Sequence, residues 1–141
     1  MKIKHTFIAL FTLVFAFIFW GCPGDLNDLN SVSVADNIAG TWHAVRDGED
    51  YEVTITKSAE SDTIINLGNF FNNGETAVAY VNNSTLELTL PPQNLGSFSI
   101  EGTGQVASDF QSISWNVVVD GDNVAITMTP GTIAKKRLIS R

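Results

Sequence analysis

The sequence predicts an all-β domain of about eight strands, most simply an up-and-down antiparallel barrel and alternatively a small β-sandwich. From residue 38 onward, short runs of Val, Ile, Thr, Phe and Trp are separated by Gly, Asn and Asp. Residues 51–57 (YEVTITK) alternate apolar and polar side chains, as a strand with one solvated face does. Asp47-Gly48, Asn82-Asn83 and Asp120-Gly121 suit tight hairpin turns, so neighbouring strands should pair in chain order. Closing such a sheet removes its exposed edges, which favours the barrel.

The expected strands follow from these runs and turns. They are residues 41–46, 51–57, 62–67, 76–81, 85–90, 97–101, 112–119 and 124–129, with a ninth candidate at 132–139. Pro91-Pro92 is expected to end the fifth strand, because proline cannot donate a hydrogen bond to a sheet ladder.

The N-terminal segment has the parts of a secretory signal. Lys2 and Lys4 precede an apolar stretch at 7–20, and Gly21 stands directly before Cys22, the single cysteine of the chain. Fourteen residues of helix span about 21 Å, less than the roughly 30 Å hydrocarbon core of a bilayer. The stretch therefore favours a cleaved leader over a permanent transmembrane helix.

Residues 19–22 (FWGC) resemble the lipobox of bacterial lipoproteins, in which the cysteine thiol is alkylated with lipid and the chain is cleaved before it. Gly21 and Cys22 match that pattern, whereas Phe19 and Trp20 are bulkier than its usual residues. The resemblance implies a signal peptide at 1–21, a lipidated Cys22, and a membrane anchor in the cell envelope, with the outer membrane as the expected location. A conventional secreted protein with a free thiol and an uncleaved signal anchor are the alternatives.

Two further segments complete the predicted organisation. Residues 22–37 are rich in Asp, Asn and Ser and are expected to form a tether, although its apolar residues could instead form a helical turn that docks on the domain. Residues 38–141 are expected to form the barrel domain. The basic residues at 135–137 are expected to be a solvated tail or part of a charged last strand.

Gly40-Thr41-Trp42 at the head of the first strand resembles the Gly-x-Trp entry motif of lipocalin-like proteins. Residues 38–129 as a whole resemble the small lipocalin-like lipoproteins of Bacteroidota. The shared features are the strand at 51–56, the pair Asn69-Phe70, the Leu-rich stretch at 86–93 and the segment 102–104. This resemblance implies a barrel in which the Trp closes the narrow end, and it implies little about a ligand.

The expected mature chain is strongly acidic and poor in catalytic groups. Loss of Lys2 and Lys4 would lower the formal charge from −7 to −9, and this negative charge opposes nucleic-acid binding. His43 would be the one remaining histidine, and it is interpreted as an ordinary strand residue. We therefore expect no enzymatic activity, no cofactor and no metal site. The acidic loops at 47–50 and 120–123 lack the spacing of an EF-hand, and hairpin turns explain them.

Aromatic side chains are the remaining candidates for function. Trp42, Tyr80, Phe98 and Trp115 are the expected ligand contacts inside the barrel, which would bind a small apolar ligand, a glycan or a protein partner. The same side chains could instead fill the interior of a structural or accessory lipoprotein. An enzyme inhibitor that uses the segment 68–75 (GNFFNNGE) is a third hypothesis, in which its two phenylalanines would be an exposed anchor, whereas the favoured interpretation places them in the core.

Lipidation can be tested by metabolic labelling with palmitate. Labelled palmitate is expected to enter the wild-type protein and not Cys22→Ala, because the thiol is the attachment atom. Equal labelling of both would contradict the lipobox interpretation.

Overall fold

The computed structural model of the chain describes residues 32–131. Cys22, the leader, residues 22–31 of the tether, the candidate strand at 132–139 and the basic tail lie outside the described residues. Among the described residues, no helix is long and apolar enough to span a membrane.

Eight antiparallel strands close into a barrel in chain order, with the last strand paired to the first. This confirms the predicted up-and-down barrel rather than the sandwich. The strands are β1 Gly40–Arg46, β2 Glu49–Lys57, β3 Ile64–Gly68, β4 Thr76–Asn82, β5 Glu87–Leu95, β6 Phe98–Val106, β7 Ile113–Val119 and β8 Asp122–Pro130. Each strand has a partner on both sides, so residues 32–131 form a closed sheet with its own core.

The two ends of the barrel differ in their connections. The hairpin end carries the β1–β2, β3–β4, β5–β6 and β7–β8 connections. The helix end carries the other three connections and a short helix, α1, at Val34–Ile38. At the hairpin end, both residues of Asp47-Gly48 and of Asp120-Gly121 have positive φ, as the predicted two-residue turns require.

The β4–β5 connection differs from the predicted Asn82-Asn83 turn. The Asn82 side-chain oxygen accepts hydrogen bonds from the backbone N–H groups of Ser84 and Thr85, while Leu86 is the residue with positive φ. Asn82 therefore stabilises a longer turn through its side chain instead of adopting the left-handed conformation itself.

Helix α1 packs under the helix end, although the sequence assigned its first four residues to the tether. Val34, Ala35 and Ile38 are buried, so the packed domain extends back to Val34. Trp42 Nε1 donates a 2.7 Å hydrogen bond to the Ile38 carbonyl, and Lys57 Nζ lies 2.7 Å from an Asp36 carboxylate oxygen. The Gly-x-Trp motif thus joins the helix to the first strand.

The interior is filled by apolar side chains that alternate inward along the strands. The buried side chains are all aliphatic, aromatic or Met, and no Ser, Thr, Asn, Gln, His or charged side chain is buried among residues 32–131. Trp115 on β7 lies flat over β6, where Gly104 is its direct neighbour in register. A Cβ atom added at Gly104 would lie 2.7 Å from the indole ring, so only glycine leaves room for this packing.

Pro91-Pro92 does not end β5, which corrects the prediction. The strand continues to Leu95 across an irregularity in register between Leu90 and Gln93. A β-bulge is one of the few places in a sheet that tolerates proline. The Gln93 amide replaces the missing backbone pairing, because its nitrogen donates to Val78 O at 2.8 Å and its oxygen accepts from Val78 N at 2.9 Å.

The Gly104–Trp115 contact can be tested by adding one methyl group. Gly104→Ala should lower the free energy of unfolding by about 1–3 kcal/mol, because the indole or the strand must shift. Gly68→Ala is the matched control, since a Cβ there meets nothing closer than 3.5 Å. Urea unfolding measures both variants, and equal stability of the two would contradict the close contact between Gly104 and Trp115.

Candidate functional site

The structure separates the four aromatic residues that the sequence selected as ligand contacts. Trp42 and Trp115 are buried inside the barrel, 3% and 1% exposed. Tyr80 lies on the outer face of β4, and Phe98 is on the rim at the hairpin end, 49% and 40% exposed. The four side chains therefore do not line one surface.

The β3–β4 connection fills the hairpin end of the barrel instead. Phe70 and Phe71, at its start, are 0% and 7% exposed. The Phe70 ring packs edge-on against Trp115, with 5.1 Å between ring centroids, and against Phe71 at 5.7 Å. Because both rings are buried, the interpretation of this pair as an exposed inhibitor anchor does not hold. We call residues 70–73 the plug.

Two successive carbonyl groups of the plug accept hydrogen bonds from inward-facing side chains. The Tyr51 hydroxyl donates to Phe70 O at 3.0 Å, and Arg46 Nη1 donates to Phe71 O at 3.2 Å. The Arg46 guanidinium also stacks on the Phe71 ring, 4.7 Å from its centroid. The barrel thus holds two aromatic rings inside and two acceptor oxygens at the rim.

A carboxylate neutralises the guanidinium at this site. Arg46 Nη2 lies 2.9 Å from one oxygen of Glu49, and Asn72 of the plug donates to the other at 2.8 Å. The hydrogen bonds from Asn72 and Arg46 lower the pKa of the Glu49 carboxyl, so it stays ionised. Burial raises the pKa of Tyr51 to about 12, so its hydroxyl remains a donor at neutral pH.

The base of the connection is fixed by its own hydrogen bonds, and one further bond, from Asn72 N to Asn69 O at 3.1 Å, joins it to the plug. Asn69 N donates to Glu75 O at 2.8 Å, next to the last β3–β4 pair, Gly68 and Thr76. The Asn69 side chain donates to Glu52 O and accepts from Gly74 N, both at 2.8 Å. Asn69 itself has a positive φ of 60°, a conformation that Asn tolerates better than most residues.

The other polar candidates do not converge with this site. His43 faces outward from β1, and its Nε2 lies 3.0 Å from Asp50 Oδ1. The Asp120 carboxylate accepts a hydrogen bond from Ser99 N, which ties two hairpins together. In residues 32–131, no three His, Cys, Asp or Glu side chains are grouped as metal ligands would be.

Sequence reasoning missed Arg46 and Tyr51 as site residues. Both residues occupy inward-facing positions of their strands. Arg46 alternates with Trp42 and Ala44 on β1, and Tyr51 is on the same side of β2 as Val53. An arginine at an inward position of a predicted barrel strand was the available signal. Its contact with the plug could not be read from the sequence, because the acceptor is the backbone carbonyl of Phe71, twenty-five residues along the chain.

Comparison with known protein families and with curated proteins gave no match to this chain.

Truncation of the plug should destabilise the barrel. Phe70→Ala is expected to lower the free energy of unfolding by about 3–5 kcal/mol, because it leaves a cavity beside Trp115. Phe98→Ala, the same substitution at a half-exposed rim position, should change it by less than about 0.5 kcal/mol. Chemical denaturation compares the two, and a small effect at Phe70 would show that the ring is not part of the core.

Proposed function

We propose that this protein is a non-enzymatic, lipid-anchored lipoprotein of the cell envelope whose barrel binds a small apolar ligand in the space now held by Phe70 and Phe71. Residues 19–22 support the anchor on Cys22, with the outer membrane as its location. The observation that carries the ligand hypothesis is the part of the chain that supplies these two rings. They enter the interior from a connection between strands, whereas most of the core comes from the strands themselves.

Displacement of the plug does not require a strand to unpair. Its contacts to the strands include side-chain hydrogen bonds from Tyr51 and Arg46 and the bond from Asn72 to Glu49. The base at Asn69 and Glu75 can stay closed while the tip moves. An apolar ligand that enters the hairpin end would then replace one set of aromatic contacts with another, since ligand sites of barrels lie at their mouths.

A structural or accessory lipoprotein with a permanently filled barrel is the second candidate function. The fit of Trp115 over Gly104 and against Phe70 favours it, because a filled core needs no ligand for stability. The two candidates differ in whether the plug ever leaves the barrel, which is a measurable property.

Native mass spectrometry of residues 23–141 distinguishes the two functions. The sample is incubated with envelope lipid extract and measured under native and denaturing conditions. The ligand hypothesis expects added mass in the native spectrum that disappears on denaturation. Phe98→Ala is a control that should retain the added mass, because the rim side chain is outside the plug site. A spectrum of the bare chain alone would reject ligand binding in favour of the filled barrel.

A further inference from the structure

The plug presents a specific chemical pattern to the barrel. Its apolar part is two aromatic rings inside the core, and its polar part is two successive amide carbonyls at the rim. The donors to these carbonyls are one phenol and one guanidinium N–H, from Tyr51 and Arg46. A ligand that displaces the plug leaves both donors in need of acceptors, because unpaired polar groups at a partly buried site are costly.

The charge around these donors selects against anions. Glu49 already neutralises Arg46 at 2.9 Å. Residues 32–131 contain thirteen acidic residues and two basic ones, a formal charge of −11. Several of the carboxylates, including Asp47, Asp50 and Asp122, stand on the hairpins of the same end. An anionic head placed at Arg46 would compete with Glu49 and meet this negative potential, whereas a neutral carbonyl would not.

From this pattern we propose that the barrel binds uncharged ligands in which an apolar group is followed by two successive amide carbonyls, such as short apolar peptides or acyl amides. The apolar group replaces the rings of Phe70 and Phe71 against Trp115. The first carbonyl accepts from the Tyr51 hydroxyl and the second from Arg46 Nη1. Glu49 acts as the specificity residue that rejects a carboxylate at the second position. This inference rests on the proposed function and names the ligand class of the same site.

A matched pair of dipeptides tests the inference directly. The first probe is N-acetyl-phenylalanyl-phenylalanine amide, and the second is the same compound with a free carboxylate in place of the terminal amide. They differ in charge at the atom that would meet Arg46. Binding to residues 23–141 is measured by calorimetry and by quenching or enhancement of Trp115 fluorescence in a Trp42→Phe background.

The wild-type barrel should bind the amide more tightly than the acid, by about fivefold for an exposed charge pair. Glu49→Gln keeps an oxygen that can accept from Asn72 but removes the charge, so the preference should shrink or reverse. Tyr51→Phe removes one hydrogen bond from the plug in the free protein and one from the dipeptide in the complex, so the affinity for the amide relative to an apolar dye without carbonyl groups should fall by about fivefold. Tyr80→Phe, on the outer face, should leave both affinities unchanged.

The outcomes separate this inference from the proposed function. Equal affinity for amide and acid in both wild type and Glu49→Gln would overturn the inference. So would an unchanged ratio of the amide and dye affinities in Tyr51→Phe. N-phenylnaphthylamine, an uncharged apolar dye without amide carbonyls, serves as the reference probe. If the dye binds and neither dipeptide does, the inference fails while the apolar site stands, and if no probe binds, the proposed function fails as well.

Discussion

The packing of Trp115 against Gly104 and Phe70 is the contact around which the barrel interior is arranged. An indole can lie across a neighbouring strand only where that strand carries no side chain, and Gly104 satisfies this at its pairing position. Phe70, from the β3–β4 connection, packs edge-on against the same ring. Because close-packed interiors tolerate few voids, the loop cannot be shortened or emptied without consequences for the core.

The hairpin end combines a stability role with a candidate recognition role. Arg46, Tyr51 and Glu49 hold the plug through backbone carbonyls and Asn72, so the polar groups at this end are paired while the loop is in place. The same groups define what could replace it. A barrel whose mouth is filled by its own loop can remain stable without a ligand. A ligand can still replace the side chains of that loop, provided that the contacts it makes with the barrel offset those that the plug loses.

The helix end is closed by the short helix α1. Ser33 caps α1, Asn83 accepts from Val34 N, and Lys57 pairs with Asp36. The exposed ion pair between Lys57 and Asp36 contributes little to stability by itself. The buried side chain of Ile38 and the hydrogen bond from Trp42 hold the helix against the barrel. Apolar side chains therefore close this end, and the indole N–H of Trp42 has an acceptor. The proposed exchange of the plug for a ligand therefore uses the hairpin end.

The sequence by itself determined the class of fold, most strand positions and two of the hairpin turns, because period-two alternation and Asp-Gly pairs are local signals. It did not determine that β5 continues past Pro91-Pro92, since the compensating bond comes from Gln93 to Val78 on another strand. The sequence also suggested Tyr80 as a ligand contact, although the alternation of side chains along β4 places Tyr80 on the outer face of the barrel. Only the tertiary structure decided which aromatics fill the barrel and that Arg46 and Tyr51 hold a loop, because those contacts join residues that lie far apart in the chain and depend on closure of the sheet.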